Sequence, residues 1–212
     1  MTPIRVLLAD DHSLFREGLA SLLSAENDFE VVGEAKDGLQ ALEMARELMP
    51  DLILMDISLP VMSGQEATRR IKAEMPYVKI VILTVSDCES CPFEAVKSGA
   101  EAYLPLGIEP RALSSTLRRV VQGEAPVSRV MAAQLLEEFA RWAGQPTLAV
   151  AHAAELTARE REVLEQVARG GSNEAIAAGL AVAEDAVQNH LKNVLEKLHL
   201  ESRVHSAALT LR

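Results

Sequence analysis

The sequence predicts a chain in two parts: a doubly wound α/β domain with a five-stranded parallel sheet, then an all-α domain of four short helices. Three observations carry this. Five short apolar runs alternate with helix-period segments over residues 4–122, as strands buried on both faces and covered by helices require. Glycine, proline and serine punctuate 123–154 around a single helix-period stretch. After that stretch the apolar periodicity is helical only. The boundaries are therefore 1–122 for the α/β domain, 123–154 for a linker with one helix, and 155–212 for the helical domain.

The strand runs are Ile4–Ala9, Val31–Val32, Leu52–Met55, Ile80–Leu83 and Ala102–Leu106. Between them Phe15, Leu19 and Leu22 recur at helical spacing, as do Ala41, Met44 and Ala45, and later Leu113, Leu117 and Val120–Val121. Gly123, Pro126 and Ser128 end this regime, the linker helix spans Val130–Phe139, and Trp142, Gly144 and Pro146 break it. In the last part Thr157 and Glu160 stand at capping-box spacing ahead of Val163, Leu164 and Val167. Ser172 caps a short helix through Ile176 and Ala177 that stops at Gly179–Leu180. A third helix, 184–197, turns Val187, Leu191, Val194 and Leu198 inward. Two short helices joined by a glycine-containing turn fit a helix-turn-helix, whose second helix enters the DNA major groove.

Composition excludes several classes. The 212 residues carry 21 basic and 31 acidic side chains, a formal net charge of −10, which argues against coating polyanions or anionic membranes through bulk charge. No uncharged apolar run approaches the roughly 18 residues of a membrane span, and the run Ile4–Ala9 enters Asp10–Asp11 rather than a cleavage site. Two cysteines make no disulfide framework, so a reducing cytoplasm is the expected location.

Chemistry gathers at the strand ends. In open α/β sheets ligands bind beyond the carboxyl ends of the strands. Here the first strand ends in Asp10–Asp11, the third in Asp56 and the fourth in Thr84. Carboxylates meeting at one crevice repel unless a cation joins them, and hard oxygen ligands suit Mg²⁺. Cys88 and Cys91 form a C-x-x-C ahead of a helix whose first turn holds Pro92. The pair reads either as a redox dithiol acidified by a helix N-terminus or as a chance spacing on a loop.

Residues 1–122 resemble a response-regulator receiver domain, the flavodoxin-like module phosphorylated on aspartate in two-component signalling. The matching residues are Asp10–Asp11, Asp56 within LILMDISLPVMSG, Thr84 within VILTVSD, and GAEAYL at 99–104. The resemblance implies Asp56 as phosphoacceptor, with Asp11, Asp56 and the Ser58 carbonyl holding Mg²⁺ and Asp10 acting through water. It implies Thr84 and Tyr103 as switch residues and a sensor histidine kinase as partner. One departure stands out. The family carries a lysine three residues after the aromatic of the last strand, and here that position is Leu106, within YLPL.

Residues 155–208 resemble the LuxR-type helix-turn-helix of NarL/FixJ regulators, on the string LTAREREVLEQVARGGSNEAIAAGL and the later NHL, KL and SR. This implies a DNA-binding transcription regulator, not an enzyme. Its recognition helix is 184–197, with Gln188, Asn189, Lys192 and Lys197 toward DNA and His190 packed or at a base. A last helix with Val204, Ala207, Ala208 and Leu211 either pairs two copies as a homodimer or closes the monomer core. Gln188, Glu174, Ala183 and Ala186 depart from the family's basic or hydroxyl residues, and 148–212 holds seven Lys/Arg against nine Asp/Glu. Affinity that rests on neutralised phosphates is then expected to be weak. The alternatives carried forward are control by a partner or by oligomerisation without phosphorylation, and a Cys88/Cys91 redox switch.

Overall fold

A computed structural model describes residues 2–84, 91–143 and 155–210. They form two compact units, Met1–Gln122 and Gly123–Arg212. In the first, five parallel strands stand in the order β2-β1-β3-β4-β5. They are β1 (Ile4–Ala9), β2 (Phe29–Ala35), β3 (Leu52–Asp56), β4 (Lys79–Thr84) and β5 (Ala102–Pro105). The helices between and after them are α1 (Ser13–Ser24), α2 (Gly38–Leu48), α3 (Gly64–Glu74), α4 (Cys91–Lys97) and α5 (Pro110–Val121).

The near-continuous apolar runs are explained by two cores. Alternate residues of β1 and β3 point to opposite faces. Leu7, Ile53 and Met55 join one cluster with Ala41, Ala45, Ala67 and Ile71 of α2 and α3. Val6, Leu8, Leu52 and Leu54 join the other with Leu19 and Leu23 of α1 and Leu113 and Leu117 of α5. Caps set the helix starts where the sequence offers them: Asp37 accepts from the Gln40 N–H at 2.8 Å, and Pro110 opens α5. Two ion-paired clips fix the periphery. The buried Lys72 of α3 donates to Glu101 at 2.6 Å and to the Val78 carbonyl at 2.7 Å, while Glu101 accepts from the Ile80 N–H. Arg118 of α5 grips Asp28 and Glu26 and lies 5.3 Å from the centre of the Phe29 ring.

The second unit holds α6 (Arg129–Ala143), α7 (Ala158–Ala168), α8 (Asn173–Leu180) and α9 (Glu184–Thr210). Two features differ from the sequence reading. The linker helix packs against α7 within this unit, burying Met131, Ala132, Leu135 and Phe139, and Arg129 Nε donates to the Ala168 carbonyl at the end of α7. The expected break after Lys197 is absent: α9 runs on to Thr210, because no glycine or proline follows Leu198 to stop it. Among the described residues no helix is long and apolar enough to cross a membrane.

Candidate functional sites

The register of the sheet builds the acidic crevice. Ala9 of β1 faces Met55 of β3, so the next residues, Asp10 and Asp56, leave adjacent strands at the same level. Both are buried, whereas Asp11 is exposed. Burial pushes the Asp56 carboxyl above the usual aspartate range, and the charge of Asp10 and then of Asp11 adds to the rise. The neighbouring Ser58 and Ile57 backbone opposes the rise without cancelling it. Burial, ahead of the acidic neighbours, is the leading cause. Gly64 holds the loop in place, since a Cβ there would come within 2.0 Å of the Asp56 carbonyl. Val61, exposed at φ 65°, makes the tight turn in the same loop.

Around Asp10 the structure adds two residues the sequence reading missed. The His12 N–H donates to Asp10 Oδ1 at 2.7 Å, and its Nδ1 lies 2.9 Å from Asp11 Oδ1. Arg16 Nη1 donates to the Asp10 carbonyl at 2.6 Å, but its Nε is paired with Glu34 at 2.8 Å, so its charge is already matched. Among the described residues one cluster offers three ligand atoms within 4.8 Å of one another: Asp10, Asp11 and His12, without Asp56. An oxygen-rich set of one exposed and two buried carboxylates, with Asp56 held above its normal range, fits a hard dication. Thr84 closes β4 opposite Pro105 of β5, and Tyr103 packs on the α2–α3 side of the sheet. Leu106 goes to the other side, half-buried against the α1–α5 core. Cys88 lies outside the described residues, and Cys91 is the first residue of α4.

In the helical unit the capping box is present: Glu160 N–H donates to Thr157 Oγ1, and Thr157 N–H to Glu160 Oε2 at 2.7 Å. Gly170, at φ 91°, closes α7 with its N–H on the Val167 carbonyl. Ser172 caps α8, which ends in a left-handed residue, Ala181. On α9, Val187, Leu191, Val194, Leu195 and Leu198 are buried, which leaves Asn189, Lys192, Asn193 and Glu196 outward. Two expected contact residues are placed differently. Lys197 turns back to the body of its unit, donating to Glu160 Oε2 at 2.6 Å and to the Glu155 carbonyl at 2.9 Å. Its ammonium neutralises a buried carboxylate. Gln188 is only partly exposed, and its Oε1 is buried without a hydrogen-bond partner.

Residues 6–118 match the family described as response regulator receiver domain, and 154–210 match bacterial regulatory proteins of the luxR family. The chain belongs to the response-regulator family. Relatives span its whole length. The transcriptional regulatory protein YxjL of Bacillus subtilis (strain 168) is 41% identical over 209 residues, 99% of this chain and 95% of its own. The nitrate/nitrite response regulator protein NarL of Escherichia coli (strain K12) is 37% identical, over 97% and 94% of the two chains. A crystal structure of the response regulator ChrA of a heme-sensing two-component system covers 100% of both chains at 30% identity and a TM-score of 0.54.

This response regulator is therefore a DNA-binding regulator of the NarL/LuxR type, from a family of transcription regulators rather than enzymes. Receiver domains bind Mg²⁺ in an acidic pocket of the kind formed here, and DNA and a kinase are the partners typical of the family. The strand ends pointed to Asp10, Asp11 and Asp56, and the family resemblance pointed to Leu106. His12 and Arg16 lay in plain view after Asp11, but only through-space pairing shows what each of them touches.

Proposed function

We propose that this response regulator accepts a phosphoryl group on Asp56 and transmits the change to DNA binding as a homodimer. The observation that carries the reading is a buried carboxylate at the end of β3, raised above its usual range by burial and by the charge of two further acids beside it. An Asp56 oxygen attacks the phosphorus of a phosphohistidine on a sensor kinase. The P–N bond breaks, its electron pair leaves on the imidazole, and an acyl phosphate forms. Asp10, Asp11, Asp56 and the Ser58 carbonyl would hold Mg²⁺, which when bound offsets the charge of the transferring group. Thr84, the last residue of β4, and Tyr103, within β5, would register the change, and Asn189 and Lys192 would lead the DNA face with Gln188 beside them.

Leu106 favours a second reading. With no lysine to pull on the phosphoryl oxygens, the two folds could operate under control of a partner or of oligomerisation, with phosphorylation uncoupled from output. One experiment separates the two. The native protein and Asp56→Ala are incubated with acetyl phosphate and Mg²⁺, then assayed for phosphorylated fraction, dimer constant and DNA binding. Phosphorylation of the native protein alone, with a tighter dimer, supports the first reading. An unmodified native protein, or a phosphoprotein with an unchanged dimer constant, supports the second.

A further inference from the structure

The position that holds lysine in the family lines a cavity here. Phe15, Leu19 and Leu22 of α1 form one wall, Leu113 of α5 another, and Leu106 and Ile108 the loop between β5 and α5. Leu83 of β4 lies at its base. The volume is about 400 Å³, and every lining side chain is apolar. The hollow reaches into the core layer, for Leu83, Leu19 and Leu113 are all buried residues of the α1–α5 cluster. Leu14, 83% exposed, stands at its rim.

We propose that this cavity is a binding site for a neutral, apolar small molecule, which contacts Leu106. Size selects the occupant. A benzene molecule fills an apolar cavity of about 150 Å³, so about 400 Å³ suits two to three rings. It also falls within the roughly 300–1,000 Å³ of ordinary ligand pockets. A single side chain reaching in from another protein would fill less than half of the space and leave the walls without contacts. Charge selects it too. With no polar side chain lining the space, an ionic ligand would find no counter-charge there. Leucine at 106 completes the apolar surface. The site also adjoins the strand end it would influence: Leu106 follows Pro105, the partner of Thr84 in the sheet. Occupancy would hold the β5–α5 loop in one position, an input independent of Asp56 chemistry.

Gly18 supplies the decisive variant. It lines the cavity from within α1, and a Cβ built on it meets nothing within 4 Å. Gly18→Leu therefore starts its side chain in open space at the cavity wall and favours the helix. The test titrates the full-length protein with N-phenyl-1-naphthylamine, a neutral three-ring fluorophore, while sedimentation velocity follows its oligomeric state. The expected result is one saturable site per chain, weakened about tenfold or more in both Gly18→Leu and Leu106→Lys. Tyr77→Ser, which removes an exposed aromatic residue outside the cavity, should bind as the native protein does. Circular dichroism verifies that Gly18→Leu is folded, which keeps the test sound should Leu106→Lys loosen the domain. Absence of saturable binding, or binding undiminished by Gly18→Leu, overturns the proposal. So does self-association that Gly18→Leu abolishes in a protein that binds no probe, since a second copy would then be the occupant.

Discussion

Two buried carboxylates, one in each unit, are treated in opposite ways. Burial penalises Glu160 as it does Asp56, yet its pKa is lowered: burial pushes it up, and Lys197, the Thr157 N–H and the Thr157 hydroxyl together more than reverse that. Asp56 has further acids beside it and, among the described residues, no cation, so its pKa stays raised. Glu160 is a structural charge with its counter-ion supplied by the fold. Asp56 is a charge left incomplete, as a group awaiting an external cation or phosphoryl group must be. The comparison shows that burial of an acid says little about its role until its partners are counted.

The largest effect should come from breaking the satisfied pair. Lys197→Met strips the counter-ion from a buried carboxylate, and should destabilise the helical unit by about 3 kcal/mol. Urea unfolding followed by helical circular dichroism measures it, and a loss within error of zero would mean that Glu160 is not held as an anion. Acid should then act on the same pair. Because the folded-state pKa of Glu160 is depressed, its contribution is complete above the usual glutamate range and falls away as pH drops through the folded value. Native protein should therefore lose more stability than Glu160→Gln between about pH 5 and pH 3. Parallel slopes for the two proteins would remove the pair from the account.

The opposite sign is expected at the incomplete site. Asp56→Asn removes a charge that burial and its neighbours disfavour, and should stabilise the first unit by about 1 kcal/mol in Mg²⁺-free buffer. A destabilised Asp56→Asn would show that the crevice has a counter-charge of its own. The smallest effect concerns the DNA face. With Lys197 turned inward, Lys192 is the basic side chain left outward on α9 among the described side chains, beside Glu184, Asp185 and Glu196. Plots of log K against log salt should slope by only about −2 to −4 per half-site. Gln188→Lys should raise affinity by about threefold and steepen the slope by about one. A native slope near −8 would reveal a basic surface elsewhere.

Most of the fold was legible because its rules are local. Apolar runs bounded by Asp10, Asp56 and Thr84 mark strand ends, and Thr157 with Glu160 marks a helix start. The acidic crevice was legible for the same reason, since each acid follows directly on a strand. What escaped the sequence is non-local. Lys197 lies 37 residues from Glu160, and nothing in its own neighbourhood says that it turns inward. The absence of a lysine at 106 could be read by counting, but not the cavity, whose walls come from α1, β4 and α5. The packing of α6 on α7 was hidden likewise: an amphipathic helix between two domains does not declare which of them it serves.

That last feature bears on how such a chain can be cut and recombined. A fragment starting at residue 155 would lose α6, uncovering the face of α7 on which Met131, Leu135 and Phe139 lie and leaving the Ala168 carbonyl without Arg129. The workable crossover for exchanging input modules is near Gly123, where the two compact units meet in sequence. Any lineage that swapped receivers onto this output half would have had to carry α6 along with it, as part of the inherited DNA-binding cassette.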